Sequence, residues 1–219
     1  MSAPPKTDLF APQRRYMVER DLRARGVSDA RVLDAMLHVP RHEFVPTQYR
    51  DQAYQDHPLP IGEDQTISQP YIVALMLEAL QLSPTDKVLE VGTGSGYVTA
   101  LLAELTAQVI SVERLSTLAE KARQALSDLS YGNVEVIVGD GYQGFQQGAP
   151  YDAIIVSAAA LNFPHVLLSQ LSDDGGMIIP IGPPNGQKLH LVRMEAGRPI
   201  ITSREPCRFV PLISEASSS

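Results

Sequence analysis

The sequence predicts an α/β fold: a mostly parallel sheet that ends in an antiparallel hairpin and follows a helical N-terminal extension. Three observations carry this. After Pro84, short and almost wholly apolar runs alternate with helical stretches, the rhythm of parallel strands covered on both faces. The last two such runs are joined only by Glu195-Ala196-Gly197-Arg198, which reads as a hairpin turn. The first 80 residues instead carry apolar residues at helical spacing, punctuated by prolines.

Residues 1–12 are rich in Pro and Ala and are expected to be loose. Tyr16, Met17 and Leu22 fall near helical spacing between Gln13 and Arg25, and Gly26 ends that helix. Ser28 is the expected cap of a second helix with an apolar stripe of Val32, Leu33, Met36 and Leu37, stopped by Pro40. Residues 40–69 read as an irregular connection with five prolines and glycines, Pro40, Pro46, Pro58, Pro60 and Gly62. A connection of that length is functional or disordered, and Phe44, Val45, Tyr49, Leu59 and Ile61 argue against disorder. Pro70 suits the first turn of a helix reaching Leu80. Strands are expected at Val88–Val91, Val109–Val112, Val134–Val138, Ala153–Val156 and Met177–Pro180. Helices are expected at Val98–Leu105, Thr117–Leu129 and Pro164–Leu171, and the hairpin at Leu189–Met194 and Pro199–Phe209. The tail 214–219 (SEASSS) is expected to be disordered.

The balance of 44% hydrophobic and 20% charged residues over 219 is that of a globular protein with a sizeable core. A formal net charge of -7 argues against gripping nucleic-acid phosphate. No apolar run approaches the roughly 18 residues of a membrane span. The single cysteine, Cys207, excludes an intrachain disulfide framework and a cysteine zinc cluster, and together with the lack of an export signal points to a reducing cytoplasm. The histidines show no paired ligand spacing, and Pro40 breaks the helix between His38 and His42, so no metal site is expected.

Three clusters point to a nucleoside ligand. In Val88-Leu89-Glu90-Val91-Gly92-Thr93-Gly94-Ser95-Gly96-Tyr97, an apolar strand runs into a glycine-rich turn and a helix. Glycines let a ligand approach the backbone closely. Bulky Tyr97 occupies the last glycine position of the G-x-G-x-x-G dinucleotide fingerprint, which disfavours pyrophosphate and favours a ligand without phosphates. Glu113, at the end of the next strand, can accept both ribose hydroxyls. Asp140, within Gly139-Asp140-Gly141 after the third strand, sits in the same crevice and can accept from an adenine amine, which is favoured here over an ordinary turn aspartate. S-adenosyl-L-methionine is such a ligand, and parallel strands with a terminal hairpin form a Rossmann-like class I methyltransferase sheet. In the long connector, Ser68 stands before Pro70, where a helix cap is the local reading.

Taken together, VPRHEFVP at 39–46, PLPIG and QTISQPYIVALM within 58–76, LEVGTGSGY at 89–97, VER at 112–114, GDG at 139–141, APYDAIIVSAAA at 149–160 and RFVPL at 208–212 resemble the protein-L-isoaspartate O-methyltransferase family over about residues 13–213. The resemblance implies methyl transfer from S-adenosyl-L-methionine to the free α-carboxyl of isoaspartyl residues in damaged proteins and peptides. The ester then collapses to a succinimide that hydrolyses partly to normal aspartate. It also implies that Ser68 is the active-site residue, with Thr66 beside it at the substrate. Gln65, Thr66, Ile67, Gly92, Gly94, Ser95, Glu113, Asp140 and Gly141 are implied as cofactor contacts. Residues 1–80 are expected to form the helical extension and substrate-cleft segment, and residues 81–213 the cofactor-binding core. The chain departs from the family pattern at Asp64, where bacterial members often carry glycine, and at Ile213, apolar where some relatives carry a hydroxyl. An inward Asp64 would repel an anionic substrate, and an outward one would not. Two other readings stand beside this one: a different class I carboxyl methyltransferase, and a non-catalytic module that binds modified peptides.

Overall fold

The computed structural model describes residues 8–213, so the tail from 214 and the first seven residues lie outside the described part. Seven strands form one sheet: β3 (Lys87–Val91), β4 (Gln108–Glu113), β5 (Val134–Val138), β6 (Tyr151–Val156), β7 (Leu171–Ile181), β8 (Lys188–Glu195) and β9 (Arg198–Pro206). Their spatial order is β5-β4-β3-β6-β7-β8-β9. The first five are mutually parallel, and β8 and β9 are antiparallel additions. The expected hairpin is there, with Glu195 paired to Arg198 across Ala196 and Gly197, both at positive φ.

Alternating side chains on each strand enter two separate cores. Val88, Val109, Ala153, Ile155 and Ile178 join one cluster, and Leu89, Ile110, Ile154, Val156 and Met177 join the other. This is why these strands are apolar throughout: both faces of the sheet are covered. The first cluster also contains Met17, Val32, Leu33, Met36, Val73 and Leu77, so the N-terminal helices pack directly on one sheet face.

The N-terminal region departs from simple helical expectation in three ways. Helix α1 (Ala11–Tyr16) continues into a π-helical turn, Met17–Leu22, and a 3₁₀ turn, Arg23–Arg25, before Gly26 at φ 101°. Met17, Val18 and Leu22 are all fully buried while Tyr16 is 61% exposed, so the π turn keeps one apolar face against the core. Helix α2 (Ala30–His38) is capped by Asp29, whose carboxylate accepts from the backbone N–H groups of Arg31 and Val32, and not by Ser28. Ser28 donates through its backbone N–H and hydroxyl to Glu78 of α3 (Pro70–Leu80), tying the two helices together. The supposedly irregular connector contains an antiparallel pair, β1 (Leu59–Gly62) and β2 (Gln65–Ile67). Its two-residue turn, Glu63-Asp64, holds both residues at positive φ without a glycine in either place, so the usual hairpin signature was missing from the sequence. The Glu63 carboxylate accepts a 2.9 Å hydrogen bond from the Thr117 hydroxyl, which pins the turn to the start of α5 (Ser116–Asp128).

Helix α4 (Tyr97–Leu105) follows the glycine turn as expected. The helix expected over Pro164–Leu171 shrinks to α6 (His165–Leu168). Leu171 already pairs with Tyr151, so β7 begins well before its apolar run. No helix among the described residues is long and apolar enough to cross a membrane.

Candidate functional site

The strand order reverses at β3, which has β4 on one side and β6 on the other. Ligands of such sheets bind in the crevice at the carboxyl ends of these strands. The chain leaves β3 through Gly92 at φ 91°, a conformation that disfavours any side chain. Gly96, at φ 89°, begins α4 against α5, and a Cβ there would stand 3.2 Å from Ala122 Cβ. The glycines thus serve both the turn and the packing of helix against helix.

Glu113 ends β4, is 7% exposed, and faces this turn. One carboxylate oxygen accepts from the Gly94 backbone N–H and the other from the Leu115 backbone N–H, each at 2.9 Å. A carboxylate has about four acceptor positions. Two are used to fix its plane, and one on each oxygen is left for a pair of neighbouring hydroxyls.

Below the turn lies a buried relay. Thr99 and Ser111 both donate to one oxygen of Glu90, at 2.5 and 2.6 Å, and the Thr93 and Ser111 hydroxyls lie 2.5 Å apart. Ser111 spends its proton on Glu90, so Thr93 donates to Ser111. Complete burial pushes the Glu90 carboxyl up to about 8, against the lowering effect of the two hydroxyls, so it is protonated at neutral pH. The unfolded chain has released this proton by pH 5–6 while the folded protein keeps it. The folded state should therefore lose stability as pH rises from about 5 to 8, by up to about 1.4 kcal/mol per pH unit. Urea midpoints of wild type and Glu90→Gln across this range should diverge in the variant's favour as pH rises. A pH-independent gap would show that Glu90 titrates as an ordinary carboxylate.

A cavity of about 310 Å³ occupies the crevice, within the range of small-molecule sites. Gln65, Thr66, Ile67, Ser68, Gly92, Gly94, Ser95, Glu113 and Gly141 all line it. Asp140 does not line it, and its carboxylate accepts from the Tyr142 backbone N–H at 2.9 Å, capping a 3₁₀ turn. A second cavity of about 710 Å³ adjoins the first. Thr66, Ser68, Ser157 and Val210 line both and form the junction. Gln69, not Ser68, is the N-cap of α3 and its own side chain makes no capping bond; the first-turn N–H of Tyr71 is instead taken by the Asp56 carboxylate at 3.0 Å. The Ser68 hydroxyl is therefore not engaged as a cap.

Ser157 and residues 210–213 were missing from the sequence-derived set. Ser157 directly follows β6 and donates its backbone N–H to Val91; the rule that sites lie at strand carboxyl ends, applied to Val156-Ser157, would have found it. The 210–212 segment is held by hydrogen bonds between Ala159 and both Val210 and Leu212, a long-range pairing with no local signal. Gln187 clamps the same segment by accepting from the Phe209 backbone N–H and donating to the Phe209 carbonyl. Ile213 lines the first cavity. Asp64 also lines that cavity, but roughly 13 Å of extended chain separates it from Ser68. Its carboxylate belongs to the turn end of the hairpin and not to the junction. Among the described residues no group of three His, Cys, Asp or Glu side chains could hold a metal ion.

The arrangement suits S-adenosyl-L-methionine: a fixed carboxylate for ribose hydroxyls, a glycine turn open to close approach, and a cavity that meets a second one at hydroxyl-bearing residues. Comparison with known proteins agrees. The family model for Protein-L-isoaspartate(D-aspartate) O-methyltransferase (PCMT) matches residues 13–217. A Koribacter versatilis protein-L-isoaspartate O-methyltransferase is 52% identical over 219 residues, spanning 100% of this chain and 99% of that protein. One from Methanoculleus marisnigri is 52% identical, covering 96% of each chain. The crystal structure of a Plasmodium falciparum beta-aspartate methyltransferase (PCMT) in complex with S-adenosyl-L-homocysteine superposes with a TM-score of 0.81 at 29% identity, covering 91% of this chain and 98% of that one.

Proposed function

This chain belongs to the protein-L-isoaspartate(D-aspartate) O-methyltransferase family, and from that premise we propose how its two joined cavities carry out the reaction. The enzyme transfers a methyl group from S-adenosyl-L-methionine to the free α-carboxyl of L-isoaspartyl residues. The cofactor supplies the methyl group already activated on a sulfonium. Glu113 holds the ribose, and the turn from Gly92 to Ser95 lies against the rest of the cofactor. Asp140 and Gly141 close the adenine end, Gly141 from within the cavity and Asp140 by shaping the turn behind it. The damaged protein or peptide lies in the second cavity with its carboxylate at the junction. The position of Ser68, shared by both cavities, carries this reading. Its hydroxyl donates to one carboxylate oxygen and aims the other at the methyl group, with Thr66 beside it. Arg208 is the one charged residue lining the second cavity among those described, so no carboxylate there repels the acceptor. Residues beyond 81 supply most of the cofactor cavity, to which Asp64–Ser68 also contribute, and the second cavity is shared between the N-terminal segment (Pro58, Thr66, Ser68, Gln69, Ile72) and the C-terminal segment from Pro206 to Val210. The lone cysteine suits work in a reducing cytoplasm.

The chemistry asks little of acid–base groups. A carboxylate with a reference pKa near 4 is already ionised at neutral pH, and no histidine lines either cavity among the described residues. Catalysis is mostly positioning. A methyl-transfer assay on one isoaspartyl peptide and its normal aspartyl twin tests the assignment, with turnover expected only on the first. Turnover at saturation should stay flat between pH 6 and 8. Equal rates on both peptides, or a rate rising with an ionisation near pH 6.5 that disappears when one histidine is replaced, would overturn this account.

A further inference from the structure

The VPRHEFVP block has so far no part in the reaction, yet it contains the most deeply buried cation among the described residues. Arg41 is fully buried. Its Nε donates to the Ala53 carbonyl at 2.7 Å and one terminal nitrogen donates to the Ser68 carbonyl at 2.8 Å. The guanidinium lies 4.8 Å from the centre of the Tyr97 ring, and Tyr97 lines the cofactor cavity. No carboxylate within ion-pair distance of it occurs among the described residues.

Burying a cation without an ion-pair partner is expensive, and holding a carbonyl does not by itself require charge. What only a guanidinium supplies is a rigid planar fork. Here that fork joins two segments, at residues 53 and 68, that share no secondary structure. Immediately beyond Ser68, Asp56 holds the next residues: its carboxylate accepts from the Gln69 amide at 2.7 Å and from the Tyr71 backbone N–H at 3.0 Å. Ser68 is thus held through its own carbonyl from one side and through its successors from the other.

We propose that Arg41 is a positioning residue for methyl transfer, fixing the peptide of Ser68 so that the hydroxyl faces the acceptor carboxylate. The proposal rests on the assignment of Ser68 given above. Burial lowers the Arg41 pKa only to about 10, so the guanidinium stays charged throughout the neutral range and its effect is independent of pH there.

The test is a double-mutant cycle of Arg41→Lys and Ser68→Ala, with Arg41→Gln as a second variant. Turnover is expressed per cofactor-binding site, counted by S-adenosyl-L-homocysteine titration, so that poorly folded molecules are not scored. Arg41→Lys keeps the charge but loses the fork. It should lower kcat per site at least tenfold, with the peptide KM and cofactor affinity within about threefold of wild type. Because Arg41 acts through Ser68, adding Arg41→Lys to Ser68→Ala should cost less than threefold more. An unchanged kcat per site, or effects of the two substitutions that multiply, would overturn the proposal. Failure of both Arg41 variants to give any cofactor-binding protein would assign Arg41 to folding instead. A Ser68→Ala enzyme of normal kcat would show that the Ser68 assignment had failed, while a slow Ser68→Ala beside a normal Arg41→Lys would remove Arg41 alone.

Discussion

Replacing Ser68 with alanine should lower turnover on an isoaspartyl peptide about 100-fold, the scale on which a reacting group loses its aim. Cofactor affinity should stay within about threefold, because the hydroxyl acts on the acceptor and not on the ribose or the glycine turn. The melting temperature should hardly move. Gln69 is the N-cap of α3, and the first-turn N–H of Tyr71 is held by Asp56 and not by Ser68, so the loss of about 0.5–2 kcal/mol expected from deleting a serine cap does not apply. Single-turnover rates, calorimetric cofactor titration and thermal melts on the same preparation check all three. A variant that is destabilised yet fully active would return Ser68 to a purely structural role.

Replacing Glu113 should have its largest effect on the cofactor. Loss of charge-assisted hydrogen bonds to two hydroxyls weakens binding by about 1.5–3 kcal/mol, or roughly 10- to 150-fold. Glu113→Ala also strips the acceptors from the Gly94 and Leu115 backbone N–H groups, so the glycine turn loosens as well and the upper end of that range is expected. Glu113→Gln separates the two effects. Its amide oxygen can keep one backbone bond, but its NH₂ faces the other N–H, donor against donor. Calorimetry should rank wild type, Glu113→Gln and Glu113→Ala in falling affinity for S-adenosyl-L-homocysteine. Equal affinity for all three would remove Glu113 from the site.

The parallel core was legible because burial on both faces writes itself into the sequence as continuous apolar runs, as at Ala153–Val156. The glycine turn and Glu113 were legible for a related reason: chain reversal and strand end fix their places in a sheet of this kind. What escaped reading depends on partners far along the chain. The β1–β2 turn lacks glycine at Glu63 and Asp64 and depends on Thr117 for support. Ser28 looked like a cap, but Glu78 takes its hydrogen bonds and leaves the capping to Asp29. Val210 and Leu212 enter the site only through Ala159. The role of Arg41 was invisible for the same reason, since one of its two acceptors lies 27 residues away.

The pairing of residues 210–212 with Ala159 also bears on when the enzyme becomes active during its own synthesis. Chains emerge from the ribosome N-terminus first and fold in segments. A nascent chain that has released β3, β4 and β6 already owns the glycine turn and Glu113. The junction around Ser68 still lacks Val210, and the Gln187 clamp has no Phe209 to hold. On the assignment proposed above, an unfinished chain would assemble its ribose-binding carboxylate before its substrate cavity is walled, and methyl transfer would begin only once residues 210–212 have docked on Ala159.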